Sequence, residues 1–350
     1  MKNSTSIWPI QVLVCFFILM LCGCQTEISI DAPAGEIIGL VESDYVAFLG
    51  IPYANPPTGE LRWAKPVATD NFELAYEATE FKAACQQFAQ MNSILNSSED
   101  CLYLNIWRPK SDIKNLPVMV YIHGGGMATG AGSEDRYNGQ ALAINQNVIV
   151  VTLNYRLGFL GLLSLTGLTD EAGHSGNYSF LDQNMALQWI NKNIESFGGD
   201  PERVTLFGES AGANSTCFHM ASPLSRDLFK NAILQSQGLY GSCVNTIQTQ
   251  QQAHENGEAF AKAAGCEDNT LTCLREKSTF EIQLALFLSG FKNGPLHASS
   301  ALPLLANIDG YFLHEQPMTT FERGEVNNKN ILMGVNKNEG TLFSSFDENI

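Results

Sequence analysis

Charge is scarce in this 350-residue chain, and positive charge is scarcer than negative. Only 16% of the residues are charged, and 20 Lys and Arg face 36 Asp and Glu, a formal net charge of −16. A chain this acidic repels phosphate backbones, which argues against nucleic acid as a partner. The excess acid reads as an aid to solubility. The apolar run at residues 12–22 is too short to span a bilayer comfortably. No C-x-x-C pair with partner histidines occurs, which makes zinc a poor fit. No Gly-Lys-Ser/Thr follows the glycines at 124–126, so a phosphate loop is a poor fit too. Repeats, heptads and low-complexity linkers are missing. Histidine is rare: His123, His174, His219, His254, His297 and His314 are all there are.

What is present is a large apolar fraction, 45% of residues, enough for one large α/β domain or two smaller ones. Lys2 followed by the apolar run at 12–22 reads as a secretory leader. It ends in Leu21-Cys22-Gly23-Cys24, which resembles a lipobox of bacterial lipoproteins. On that reading residues 1–23 are removed, Cys24 is lipidated, and the protein is tethered to a membrane without spanning it. Ordinary signal cleavage at the same place, giving a secreted or periplasmic protein, is the alternative. An exported chain meets oxidising conditions, so disulfides are allowed. Cys85 with Cys101 and Cys266 with Cys273 are close in sequence within loop-like stretches, so they are the natural pairs. Cys217 reads as a small buried helical residue.

Short apolar runs at 37–41 and 45–50 predict antiparallel strands, and 102–107 another. The β-branched runs at 118–122 and 148–153 read as central strands covered on both faces. A helix is expected at 138–145. Met185, Trp189, Ile190, Ile194 and Phe197 form one helical face within 182–197. Strands are expected at 231–235 and 330–335, a helix at 248–264, and irregular chain over 265–325. Strand and helix alternate from about residue 118, which predicts a mostly parallel sheet with crossover helices.

Two stretches carry chemistry. Val204, Leu206 and Phe207 form a buried strand, and Gly208-Glu209-Ser210-Ala211-Gly212 then fits G-x-S-x-G, before a helix-compatible run at 213–220. A serine lifted above a sheet on a tight turn needs flanking residues without side chains. His123-Gly124-Gly125-Gly126 directly follows the strand at 118–122. Such a loop lets backbone N–H groups face a developing oxyanion. Donors on Gly125, Gly126 and Ala211 are the expected set, and His123 reads as structural.

With Glu99-Asp100-Cys101-Leu102-Tyr103-Leu104-Asn105 and Gly334-Val335-Asn336-Lys337-Asn338-Glu339-Gly340 added, the chain resembles the type-B carboxylesterase/cholinesterase family over residues 28–350. The resemblance implies an α/β-hydrolase fold over 24–350, its mostly parallel central sheet preceded by antiparallel N-terminal strands, and hydrolysis of carboxylic esters by a Ser-Glu-His triad. It implies Ser210 as nucleophile and Glu339 as triad acid. It also implies disulfides Cys85–Cys101 and Cys266–Cys273, ion pairs Arg62 with Glu99 and Arg156 with Asp182, and Ser236 as a hydroxyl behind the triad. The triad histidine should follow Glu339, and residues 340–350 contain none. None of the six histidines matches the family position, and His219 lies too far along its helix to reach the serine oxygen. The chain therefore reads as C-terminally incomplete, a fragment of a longer enzyme, with a short inactive form as the alternative. Without that part, the strand at 330–335 is expected to be an exposed edge. Where cholinesterases carry a choline-stacking tryptophan, this chain has Met91, so choline esters are not favoured.

The sequence thus predicts an exported serine hydrolase that cleaves small carboxylic esters through an acyl-enzyme, with no metal or organic cofactor implied. An inactive truncated or adhesion-type member of the family is the rival, though adhesion-type members typically lose the nucleophile that is retained here. An amidase or lactonase on the same machinery reads identically.

Overall fold

The structure is a computed structural model that describes residues 26–87, 96–237, 243, 247–268, 270–288, 305–326 and 329–341. Its centre is a ten-stranded sheet. The nine principal strands are β1 (Thr26–Ala32), β2 (Gly35–Val41), β3 (Tyr45–Pro52), β4 (Tyr103–Pro109), β5 (Leu116–Ile122), β6 (Ile149–Leu153), β7 (Gly199–Glu209), β8 (Asn231–Gln235) and β9 (Asn330–Gly334). The spatial order is β1-β2-β3-β4-β6-β5-β7-β8-β9, with Tyr76–Glu77 added beside β2. The first five strands in this order pair antiparallel. From β6 onward every pairing is parallel.

The parallel part reads in the sequence as the structure has it. Val118, Val120 and Ile122 of β5 and all five residues of β6 are buried, because helices cover both faces of such strands. The crossovers are α1 (Gln140–Gln146), α2 (Gly158–Leu162), α3 (Thr166–Ala172), α4 (Tyr178–Asn193) and α5 (Ala211–Ala221). Helix α4 starts four residues before the periodic face at 182, at Tyr178, and stops at Asn193. There the Asn193 side chain turns back on its own helix, its amide donating to the Trp189 carbonyl at 2.8 Å, while its Oδ1 accepts from the amide of Ala34 at 2.9 Å. The helix expected at 248–264 is α6 (Gln250–Ala263), opened by a capping box between Thr249 and Gln252.

Two expectations fail. The stretch 265–325 is not irregular throughout: it holds α7 (Thr270–Glu276), α8 (Thr279–Leu288) and α9 (Pro317–Glu322). All three are short, so their apolar period is too brief to register in sequence, and tertiary packing stabilises them. Cys217 is buried as expected but is not a lone thiol: it is bonded to Cys243. Proximity in sequence finds only short loops, and this bond spans 26 residues. The pairs Cys85–Cys101 and Cys266–Cys273 form as expected.

Both expected ion pairs are present. Arg62 donates to Glu99 through Nε at 2.7 Å and through Nη2, and its Nη1 meets three backbone carbonyls of 274–277. Arg156 forms a two-pronged pair with Asp182 at 2.8 and 2.7 Å, with Asp182 fully buried. Asp182 also accepts from the Arg156 amide at 3.0 Å. Strand β9 lies outermost, and all five of its residues are exposed, Leu332 and Met333 by 63% each. Among the described residues no helix is long and apolar enough to cross a membrane.

Candidate active site

Three neighbouring parallel strands end on one edge of the sheet, where α/β folds place their ligands. The register aligns Glu209 of β7 with Gln235 of β8, and Gln235 with Gly334 of β9. The residues that follow are Ser210, Ser236 and the turn carrying Glu339. The loop after β5 joins them, because β5 pairs with the other side of β7.

Ser210 sits at the N-cap of α5 with φ 55° and ψ −118°, a conformation that costs an L-residue free energy of order 1–3 kcal/mol. Its amide donates to the Gln235 carbonyl at 3.0 Å, and its carbonyl accepts from Asn214 at 3.0 Å. The flanking glycines explain the motif. A β-carbon on Gly208 would lie 2.6 Å from the Gly212 carbonyl oxygen and 2.7 Å from that of Ile122. Gly212 is tighter still against Ile122. Side chains there would push α5 off β5 and β7.

The glycine loop lies against the turn at Ser210. A β-carbon on Gly124 would be 2.8 Å from the Glu209 carbonyl oxygen and 3.3 Å from Ser210 Cβ. Gly125 and Gly126 have φ of 107° and 63°, the left-handed side of the map that glycine reaches without strain. Among the described residues neither amide donates a hydrogen bond, while the Gly125 carbonyl accepts from Ala128 and Thr129. Ala211 opens α5, so its N–H is one of those a helix leaves without an intrahelical acceptor. Two loop amides and one helix-end amide are thus left without a backbone acceptor in the segments that meet at Gly124 and Ser210.

His123 supports this loop. It is buried, its ring stacks on Tyr155 at 4.3 Å, its Nδ1 lies 2.8 Å from the Gly124 carbonyl, and the Tyr155 hydroxyl donates to the His123 carbonyl at 2.7 Å. Burial pushes its pKa down to about 4, with the Gly124 contact opposing. It is therefore neutral at pH 7, and structural as expected. Tyr155 has no motif of its own in the sequence and was missed there.

Glu339 accepts from the Asn336 amide at 2.5 Å, and the Asn336 side-chain amide donates to Ser236 Oγ at 3.2 Å. A hydrogen bond from Ser236, then that of Asn336, holds the Glu339 carboxyl below its ordinary pKa. Glu209 is shifted the other way, raised first by burial; Arg136 opposes the rise and the negative charge of Glu339 adds to it. Ser236, with its own φ at 48°, is thus joined through Asn336 to the turn that carries Glu339. His219 hydrogen-bonds Ser225 at 2.7 Å and Gln183 at 3.0 Å, and burial lowers its pKa to about 3. None of the five described histidines hydrogen-bonds Ser210. His297, Met91 and Cys24 lie outside the described residues.

The family model described as "Carboxylesterase family" matches residues 26–349. An acetylcholinesterase from Bungarus fasciatus is 37% identical over 357 residues, covering 96% of this chain and 57% of that protein. A para-nitrobenzyl esterase from Bacillus subtilis (strain 168) is 36% identical over 321 residues, covering 90% of this chain and 64% of the esterase. A solved structure described as a PNB esterase superposes with a TM-score of 0.83 at 36% identity, covering 93% of this chain and 66% of the other. The chain thus spans between about half and two thirds of the length of these relatives.

Proposed function

The chain belongs to the carboxylesterase family, and on that premise we propose that the protein is a serine hydrolase that cleaves small carboxylic esters through an acyl-enzyme. The observation that carries the proposal is the packing of the Gly124 loop against a strained Ser210 at a helix N-terminus. Ser210 Oγ attacks the ester carbonyl carbon and passes its proton to an imidazole. The tetrahedral oxyanion is held by the amides of Gly125, Gly126 and Ala211. Collapse expels the alcohol, which takes the proton from the imidazole and leaves Ser210 acylated. Water, deprotonated by the same imidazole, then releases the acid. Glu339 orients that imidazole and stabilises its cationic form; the imidazole itself is not one of the described histidines.

The experiment is covalent labelling of the full-length gene product with a fluorophosphonate, read by mass spectrometry. Labelling on Ser210 that disappears in Ser210→Ala supports the proposal. A folded protein that takes no label refutes it.

Export completes the reading. Three disulfides favour an oxidising compartment, and Cys24, the first residue left when 1–23 are removed, carries the lipid anchor. Membrane partition unchanged by Cys24→Ser would refute the anchor.

A further inference from the structure

The bond between Cys217 and Cys243 stands in a different place from the other two disulfides. Cys217 lies on α5 seven residues after Ser210, about 10 Å along the axis at 1.5 Å per residue. Cys243 lies beyond β8, the strand that ends beside Ser210. Both are buried, and their Cα atoms are 6.0 Å apart. The bond therefore fastens the nucleophile helix to the chain that leaves β8.

That chain begins with the residue that joins the two halves of the site. Ser236 donates its amide to the Gly334 carbonyl at 2.8 Å and accepts from Asn336 at its hydroxyl. Its φ of 48° is one that serine rarely adopts without outside restraint. The next residue, Gln237, donates its side-chain amide to Cys243 Sγ at 3.1 Å. Ser236 is thus held on one side by the Glu339 turn and on the other by a neighbour bound to the disulfide.

We propose that Cys217–Cys243 is a positioning crosslink, which ties α5 to the chain that leaves β8 and so keeps Ser236 in the conformation from which its hydroxyl accepts from Asn336 in the turn that carries Glu339. It rests on the reading of Ser210 as nucleophile and Glu339 as acid. The bond acts on the reaction through Ser236 and touches no substrate. Its loss lets Ser236 relax and leaves the acid poorly held, which lowers turnover more than substrate binding.

The test compares the full-length gene product with two double variants, Cys217→Val/Cys243→Ala and, as a control remote from the strand ends, Cys266→Ala/Cys273→Ala. Peptide mapping without reduction comes first: alkylated free thiols at Cys217 and Cys243 in the wild type overturn the proposal outright. Each protein is then assayed with p-nitrophenyl butyrate, at least 20 °C below its melting temperature. The expected result is a kcat lowered tenfold or more with KM within threefold in the first variant, and kcat within twofold of wild type in the control. A first variant with wild-type kcat, or a control that falls equally, overturns the proposal even if melting temperatures drop. Should the first variant not fold, wild-type protein is reduced in steps and each bond's loss is mapped. The fluorophosphonate labelling rate must then fall in step with Cys217–Cys243, and a rate that follows another bond, or none, overturns the proposal. Absence of labelling in oxidised wild type instead removes the nucleophile reading itself.

Discussion

Gly212 and Ile122 approach so closely that a β-carbon on the glycine would collide with the isoleucine carbonyl oxygen. The obstacle is backbone at the end of β5, which has no rotamer with which to yield. Gly212→Ala is therefore expected to destabilise the fold by about 1–3 kcal/mol, the usual cost of overpacking, and to slow fluorophosphonate labelling of Ser210. Urea unfolding and labelling rates check both. Wild-type values for each would show that α5 is free to shift.

On the proposed mechanism, Glu339 is expected to matter more for rate than for stability. Glu339→Gln keeps the shape and removes the charge that the proposed mechanism sets against a cationic imidazole. The expected fall in kcat is about 10²- to 10⁴-fold, by analogy with triad acids elsewhere, with a melting temperature within about 2 °C of wild type. A change of less than fivefold in kcat would remove Glu339 from the triad.

Arg156 and Asp182 behave in the opposite way. Both are buried, and each satisfies the other in two bonds. Breaking such a pair from one side leaves an uncompensated charge, so Asp182→Asn is expected to cost about 3–5 kcal/mol, measured as a lowered urea midpoint. Replacing both partners, as in Arg156→Met with Asp182→Leu, is expected to recover much of that loss.

Acid should weaken the fold through two buried histidines. Burial lowers the pKa of His123 to about 4 and of His219 to about 3, against about 6.5 in an unfolded chain. Between those values the unfolded state binds the proton and the folded state does not, so stability falls as pH drops below about 6.5. Each histidine contributes a loss of about 1.4 kcal/mol per pH unit until its folded pKa is reached. His219→Gln should flatten the decline of melting temperature between pH 6 and pH 4. An unchanged slope would place the acid sensitivity elsewhere.

The turn at Ser210 and the glycine loop at 124–126 were legible in the chain because their geometry is local. A serine needing an unusual φ, with backbone packed against it on both sides, requires glycine at 208, 212 and 124, and those glycines sit within a few residues of Ser210 or at the end of a recognisable strand. The central strands were legible for the same reason, since burial on both faces leaves continuous β-branched runs. The antiparallel N-terminal strands, the ion pairs of Arg62 and Arg156 and the disulfides Cys85–Cys101 and Cys266–Cys273 agreed with what the family pattern implied.

Tertiary structure alone decided the rest. Tyr155 reaches the His123 carbonyl from 32 residues away, and Asn336 reaches Ser236 from 100. Cys217 finds Cys243 only because β8 returns the chain beside α5. Helices α7, α8 and α9 are too short to announce themselves. In each case the controlling interaction joins residues far apart along the chain, and nothing in the local pattern of side chains encodes which distant partner the fold will bring into contact.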